Sequence, residues 1–279
     1  MNMKHIFITY GDQRFAKTKQ RILEEARNLG IFDEVYAYGP EDVSEEVAAT
    51  EAFKIPRGGG MWMWKPDVIL STMFAHADGD IIVFCDAGCT LSSSSEWSRY
   101  WKKLSKSDII AQRLIQRTDR WTRKELLSLF PEMGDRWLKD YQYLTGTIIF
   151  KNSPFSRKFV SEWREIMIHH PECVVDVPSD ERHLQHPTFI ESRHDQSVFS
   201  ALIYKYLSHP ETRDLVYTQW EHIEFYDILC KQAIRATRLR TGEKEPFKEK
   251  ILGVRRSLGK NFILIPFYHA PLHWWYSFL

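Results

Sequence analysis

The sequence predicts an α/β domain built on a mostly parallel sheet with helices on its faces. Three observations carry this. The chain opens with an apolar run, His5-Ile6-Phe7-Ile8-Thr9, then a helix-period stretch, then a second short run, Val35-Tyr36-Ala37-Tyr38. A strand–helix–strand order of this kind needs a crossover between parallel strands. The clearest core strand, Ile81-Ile82-Val83-Phe84-Cys85, is apolar at every position, as strands buried on both faces are. Finally, 279 residues without repeats, low complexity or a convincing linker read as one domain, 1–279, with a sizeable core.

The elements follow in order. Tyr10-Gly11-Asp12 turns the chain into a helix from about Phe15 to Leu29, closed by Gly30. Gly39-Pro40 ends the second strand. After a polar loop, Gly58-Gly59-Gly60-Met61-Trp62-Met63-Trp64-Lys65-Pro66 leads into a helix with Pro66 in its first turn, running to about Ala77. Asp108 to Ala111 reads as a strand, and Trp121 to Asp140 as a helix with Leu126, Leu127, Phe130 and Trp137 on its apolar face. Tyr143 to Phe150 is a further strand, Phe155 to His169 a helix, and His194-Asp195-Gln196 opens a helical run to about Leu207. Leu215-Val216-Tyr217 is a short strand. The tail alternates basic residues with Phe262 to Phe267 and ends in Trp274-Trp275-Tyr276.

Composition narrows the setting. Charged residues at 27% and apolar ones at 43% are ordinary globular values and argue against disorder. The four cysteines, Cys85, Cys89, Cys173 and Cys230, lack paired metal spacing or a disulfide pattern, so a reducing, cytoplasmic compartment is expected. The chain enters a strand at His5, which leaves no space for a signal peptide, and no run of eighteen apolar residues exists. Net charge is +1, but Lys231 to Lys260 holds ten basic against three acidic residues. That stretch is either a solvated helical face or a contact for an anionic membrane or acceptor. Nucleic-acid binding is not expected, because the basic excess is confined to one segment without a recognition motif.

Asp86 leaves the apolar strand directly, in Phe84-Cys85-Asp86-Ala87-Gly88-Cys89. Ligands of open α/β sheets bind beyond the carboxyl ends of strands, and Gly88 leaves room beside the carboxylate. Hard divalent ions take oxygen ligands and are commonly shared with substrate phosphates. Asp86 therefore either anchors such an ion or caps the turn through Gly88.

Strand-Asp86-Ala87-Gly88 resembles a variant of the Asp-x-Asp motif of GT-A fold glycosyltransferases. Thr9-Tyr10-Gly11-Asp12 resembles the first, nucleotide-binding strand of that family, and Trp64-Lys65-Pro66 resembles a W-K-P segment ahead of the metal motif. Tyr143-Leu144-Thr145-Gly146 resembles the strand that approaches the sugar, and His194-Asp195-Gln196 the H-D-Q segment of several retaining members. The likeness covers roughly residues 5 to 207, carried by the order and spacing of short motifs.

The resemblance implies a Rossmann-type mixed, mostly parallel sheet, with a nucleotide-binding half to about residue 110, a sugar and acceptor half at about 111–230, and a basic, aromatic tail at 231–279. It implies transfer of a sugar from a nucleotide-sugar donor, with UDP-sugar leading, to a glycan or lipid-linked acceptor, with retention of configuration and Mn2+ or Mg2+ as cofactor. Gly88 stands where the motif's second carboxylate is usual, which puts metal binding in doubt. A C-terminal histidine completes the metal site in many related enzymes; here that is His269, with His273 second. A sugar nucleotidyltransferase and a non-catalytic carbohydrate- or nucleotide-binding protein stay as alternatives. The first of these usually shows a Gly-rich basic loop after the first strand, unlike Tyr10-Gly11-Asp12-Gln13-Arg14.

Within that frame each candidate has two readings. Lys65 reaches a phosphate or the sugar, or stands solvated at a helix start. Gly58 to Gly60 present backbone N–H groups to phosphate or form a lid, without the spacing of known phosphate loops. Asp195 accepts bonds from sugar hydroxyls and stabilises an oxocarbenium-like state, or caps its helix. Gln196 bonds a sugar hydroxyl or stands near the anomeric carbon. Thr9, Tyr10, Asp12, Gly88, Thr145, Gly146 and His194 complete the donor-binding set, with Arg113 a further pocket candidate. Trp62 and Trp64 stack on a sugar or base, or pack in the core. His169, His170 and Cys173 match no zinc spacing and read as a surface loop.

Overall fold

The computed structural model describes residues 3–220 and 232–237. Its centre is a six-stranded sheet. In chain order its strands are β1 (His5–Tyr10), β2 (Glu34–Tyr38), β3 (Ile81–Cys85), β5 (Ile109–Arg117), β6 (Tyr141–Lys151) and β7 (Val216–Trp220). β4 (Thr90–Leu91) and β8 (Ile234–Arg235) form a separate antiparallel pair. The sheet order is β2-β1-β3-β6-β5-β7. Only β6 runs against its neighbours; the β1–β2, β1–β3 and β5–β7 pairs are parallel. This is a Rossmann-type mixed, mostly parallel sheet.

Helices cover both faces: α1 (Ala16–Leu29), α2 (Trp64–Ala75), α3 (Glu96–Leu104), α4 (Pro154–His169) and α5 (Asp195–Ser208). Successive strand residues point to opposite faces, so each strand feeds two cores. Ile6, Ile8, Ile82, Phe84, Ile148 and Phe150 join α2, α4 and α5 on one side. Phe7, Ile81, Val83, Cys85 and Ile149 join α1 and α3 on the other. In the first core Phe199 is fully buried, tilted against Trp163 at 5.0 Å and edge-on to Phe159 at 5.3 Å. Phe199→Ala should cost about 3–5 kcal/mol, the loss typical of a buried aromatic left as a cavity. A urea midpoint unchanged from wild type would contradict that placement.

Local sequence explains the boundaries. Gly30 closes α1 at φ 63°, a left-handed position that suits glycine. Ser153 accepts from the Ser156 amide and Pro154 follows it, starting α4. The expected helix over Trp121–Asp140 does not form. It divides into Thr118–Trp121, Lys124–Ser128 and 3-10 turns over Pro131–Lys139. The residue before a proline is pushed out of helical geometry, and Phe130 sits at φ −129°, ψ 56°; Gly134 then breaks the turn at φ 57°. β5 runs on to Arg117, past its expected end at Ala111, with register shifts against β6. No helix among the described residues is long and apolar enough to cross a membrane.

Candidate functional site

β1 and β3 end side by side, and β6 runs antiparallel beside β3 with Cys85 opposite Thr147, which brings Leu144, Thr145 and Gly146 past the end of β3. The start of α5 closes the gap. These ends surround a cavity of about 830 Å³ at the carboxyl edge of the parallel strands, where open α/β sheets bind ligands. Asp86, Lys65, Asp195 and Gln196 all line it, as do Tyr10, Asp12, Gly88, Thr145, Gly146 and His194.

Lys65 is the centre of this arrangement. It is 1% exposed in the first turn of α2, so the solvated reading does not hold. Its Nζ lies 2.9 Å from Asp195 Oδ2 and 3.3 Å from Asp86 Oδ1, and donates to Thr145 Oγ1 at 3.4 Å. A buried ammonium persists only when paired. Burial pulls the Lys65 pKa down, but the charges of Asp195 and then Asp86 outweigh it, and the net shift is upward. Asp195 is 4% exposed and spends its carboxylate on Lys65. No side-chain hydrogen bond caps α5, so the capping reading of Asp195 fails too.

Asp86 keeps 40% of its side chain exposed, toward the cavity. Its amide donates to the Gly146 carbonyl at 2.9 Å, holding β3's exit against β6. A Cβ added at Gly146 would sit 2.9 Å from Asp86 Oδ2, so any larger residue there would push that carboxylate from its place. Asp12 forms the turn after β1, accepting from the Arg14 amide and guanidinium, while also facing the cavity.

At one rim the backbone runs left-handed. Gly58, Gly59, Gly60, Met61 and Trp62 all have positive φ, between 52° and 98°. A Cβ on Gly60 would stand 2.7 Å from the Phe53 carbonyl, so this turn requires glycine there. The Trp62 ring stacks on His194 at 5.0 Å, and His194 is itself at φ 52°. For the non-glycine residues Met61, Trp62 and His194, such a conformation costs of the order of 1–3 kcal/mol each, and strain of this kind collects at functional sites. Arg57, just before the turn, holds Asp176 with two 2.9 Å bonds, and Asp176 lies 3.7 Å from His194 Nε2. Trp64 packs in the core with its indole on Tyr10 at 3.8 Å.

His194 is 3% exposed, and its Nδ1 lies 2.6 Å from the Val174 carbonyl, an acceptor only. Nδ1 must therefore carry the proton. Burial holds the His194 pKa below its ordinary value, against the opposing Val174 bond and the charges of Asp195 and Asp176. The unfolded chain then binds a proton that the folded state refuses. The associated stability is present above the unfolded value near pH ~6.5 and is lost as pH falls toward the folded value. Urea midpoints between pH 7.5 and 5 should drop more steeply for wild type than for His194→Gln; parallel profiles would contradict this.

Two expected residues lie elsewhere. Thr9 is fully buried within β1, which runs one residue further than expected, and does not line the cavity. Arg113 bonds Tyr143 Oη at 3.3 Å and Asp140 at 3.5 Å, bracing β5 on β6 away from the cavity. His269 and His273 lie outside the described residues, as does the basic stretch except Gln232–Thr237. The surface-loop reading of His169, His170 and Cys173 holds only in part: exposed His169 and His170 pair with Glu165 and Glu172, but His169 ends α4 and Cys173 is fully buried in the core. No three-residue group of His, Cys, Asp or Glu suited to a metal occurs among the described residues.

Sequence reading missed Arg57 and Arg193, both on the cavity, and Gln142, which accepts from Gln196 Nε2 at 2.6 Å. The arginines directly precede motifs already singled out. Gln142 carried one signal, an amide at the head of an otherwise apolar strand.

No protein-family model and no curated protein sequence matches the chain. Solved structures are similar at low identity and at TM-scores below 0.5. A glycosyltransferase involved in glycosylation of the major capsid of PBCV-1 is 9% identical, with 78% of this chain and 83% of that one covered at TM-score 0.41. The galactosyltransferase LgtC, in complex with donor and acceptor sugar analogs, is 12% identical, covering 77% and 86% at TM-score 0.37. A putative glucose-1-phosphate thymidylyltransferase from Bacillus anthracis is 10% identical, covering 79% and 87% at TM-score 0.36. Likeness at this level assigns no reaction to the chain.

Proposed function

We propose that this chain is a glycosyltransferase that moves a sugar from a UDP-sugar to a glycan or lipid-linked acceptor, with metal assistance and retention of configuration. The observation that carries the reading is the buried ammonium of Lys65, gripped by Asp86 and Asp195 within one cavity at the sheet's carboxyl edge. A cavity of about 830 Å³ has the size of a nucleotide-sugar site.

In this reading Asp195 and Gln196 face the donor sugar. Asp195 fixes Lys65 and adds negative potential where positive charge develops on the sugar ring. Gln196 accepts a hydrogen bond from a sugar hydroxyl or stands beside the anomeric carbon. Lys65 lies within the cavity wall and opposes charge on the departing diphosphate. Tyr10 and Asp12 hold the nucleoside end.

A divalent cation fits this donor set only in part. Asp86 supplies one hard oxygen site, with the space that Gly146 leaves beside it. That suffices where phosphate oxygens and water complete the shell, with His269 a candidate for one more position. Bound there, Mn2+ or Mg2+ would act as a Lewis acid toward the diphosphate leaving group. The basic tail at 231–279 is proposed to meet an anionic membrane carrying the acceptor; liposome sedimentation indifferent to anionic lipid would count against it.

A thermal-shift screen of nucleotide-sugars with and without Mn2+ tests the reading, because selective binding stabilises the native state. UDP-sugars should raise the melting temperature, more so with Mn2+, and the best of them should release UDP slowly in water. Stabilisation without any UDP release would favour a binding protein. Pyrophosphate release from a nucleoside triphosphate would favour a nucleotidyltransferase.

A further inference from the structure

We infer that Gln142 is a positioning residue that fixes which end of the Gln196 amide faces the cavity. The inference rests on the proposed placement of Gln196 against the donor sugar.

Gln142 is fully buried near the start of β6. Its Nε2 donates to the Trp121 carbonyl at 3.1 Å, Thr122 Oγ1 at 2.9 Å and Ser197 Oγ at 3.1 Å. The Trp121 carbonyl can only accept, and Ser197 has spent its proton on that same carbonyl at 2.7 Å. A flipped Gln142 amide would set its oxygen against a backbone oxygen in a buried site, which costs the loss of the bonds and an unpaired acceptor. The Gln142 oxygen is thereby pinned toward α5.

That oxygen accepts from Gln196 Nε2 at 2.6 Å. Gln196 must therefore present nitrogen to Gln142, and its own Oε1 is left for the cavity it lines. No hydrogen bond to Gln196 Oε1 occurs among the described residues. The relay runs from a backbone carbonyl, through one buried amide, to the polarity of a second amide at the site. Without it the Gln196 side chain can rotate half a turn and offer N–H groups to a centre that gathers positive charge.

Two measurements on the full chain test this. The first is a double-mutant cycle between Gln142→Met and Gln196→Ala, followed by UDP release from UDP-glucose, UDP-galactose or UDP-N-acetylglucosamine with Mn2+. Gln142→Met should lower kcat about 100-fold, the scale of a misplaced reacting group, with KM nearly unchanged. In the Gln196→Ala background it should remove nothing further. Equal losses in both backgrounds, or no loss where Gln196→Ala alone is impaired, would overturn the positioning role. Normal turnover of Gln196→Ala would instead sink the placement of Gln196 itself.

The second measurement needs no catalysis and covers a Gln142→Met chain that fails to fold. In wild-type protein the Gln196 side-chain amide protons, assigned by their absence in Gln196→Ala, should exchange slowly with water. Exchange as fast as that of exposed glutamines would overturn the inference.

Discussion

Lys65→Met should cost about 3–5 kcal/mol of stability, the scale of breaking a buried ion pair by removing one partner, and should abolish turnover. Methionine keeps the volume and the straight chain but removes the charge. Asp195 would remain buried at 4% exposure without its counterion, and Asp86 would lose a cation 3.3 Å away. A second change separates the two effects. Lys65→Met with Asp195→Asn replaces the stranded carboxylate by an amide and should recover most of the stability. It should recover no turnover, because both the cation and the carboxylate of the site are gone. Urea midpoints and UDP release read the two quantities. A Lys65→Met chain with the wild-type midpoint would mean that the ammonium is not what holds these carboxylates together.

Asp86→Asn should behave in the opposite way. Its side chain is 40% exposed and its anchor to Gly146 is a backbone bond, so stability should stay within about 1 kcal/mol of wild type. Turnover should fall by about 10³, the upper range for removing one electrostatic stabiliser of a transition state. Any extra thermal stabilisation by Mn2+ in the presence of UDP should be absent in this variant. An unchanged metal response would take Asp86 out of the metal role while leaving its contact with Lys65 intact.

Much of the frame is legible in the residues, because strands buried on both faces announce themselves by apolar runs. β1, β3 and β6 follow that rule, while β2 is a half-exposed edge strand whose run is correspondingly short. Asp86 and the pair Asp195 and Gln196 stand out because chemistry sits at element ends, where the pattern breaks. Other features were less readable. Trp97, Tyr100 and Leu104 have the spacing of a helix face and are its buried residues, yet α3 was passed over beside a run of serines. The Trp121–Asp140 segment misled because its apolar spacing is helical while Pro131 and Gly134 forbid a continuous helix. Lys65 reads equally as a donor contact or as a solvated lysine, since only tertiary structure brings Asp195, 130 positions away, to its ammonium. Gln142 is a stronger case of the same kind. Its meaning depends on a backbone carbonyl and a helix start that no local window contains.

The short β4–β8 pairing reaches further than its size implies. Through it Gln232–Thr237 return to the cleft: Ser92 donates to the Ala233 carbonyl, Thr237 bonds the Gly88 carbonyl at 2.8 Å, and Ala236 forms part of the wall. Trimming the protein before Gln232 would therefore open the side of the pocket next to the acidic motif along with removing the cationic extension. A deletion meant to test the role of residues 238–279 has to begin after Thr237, so that the wall of the cleft stays in place.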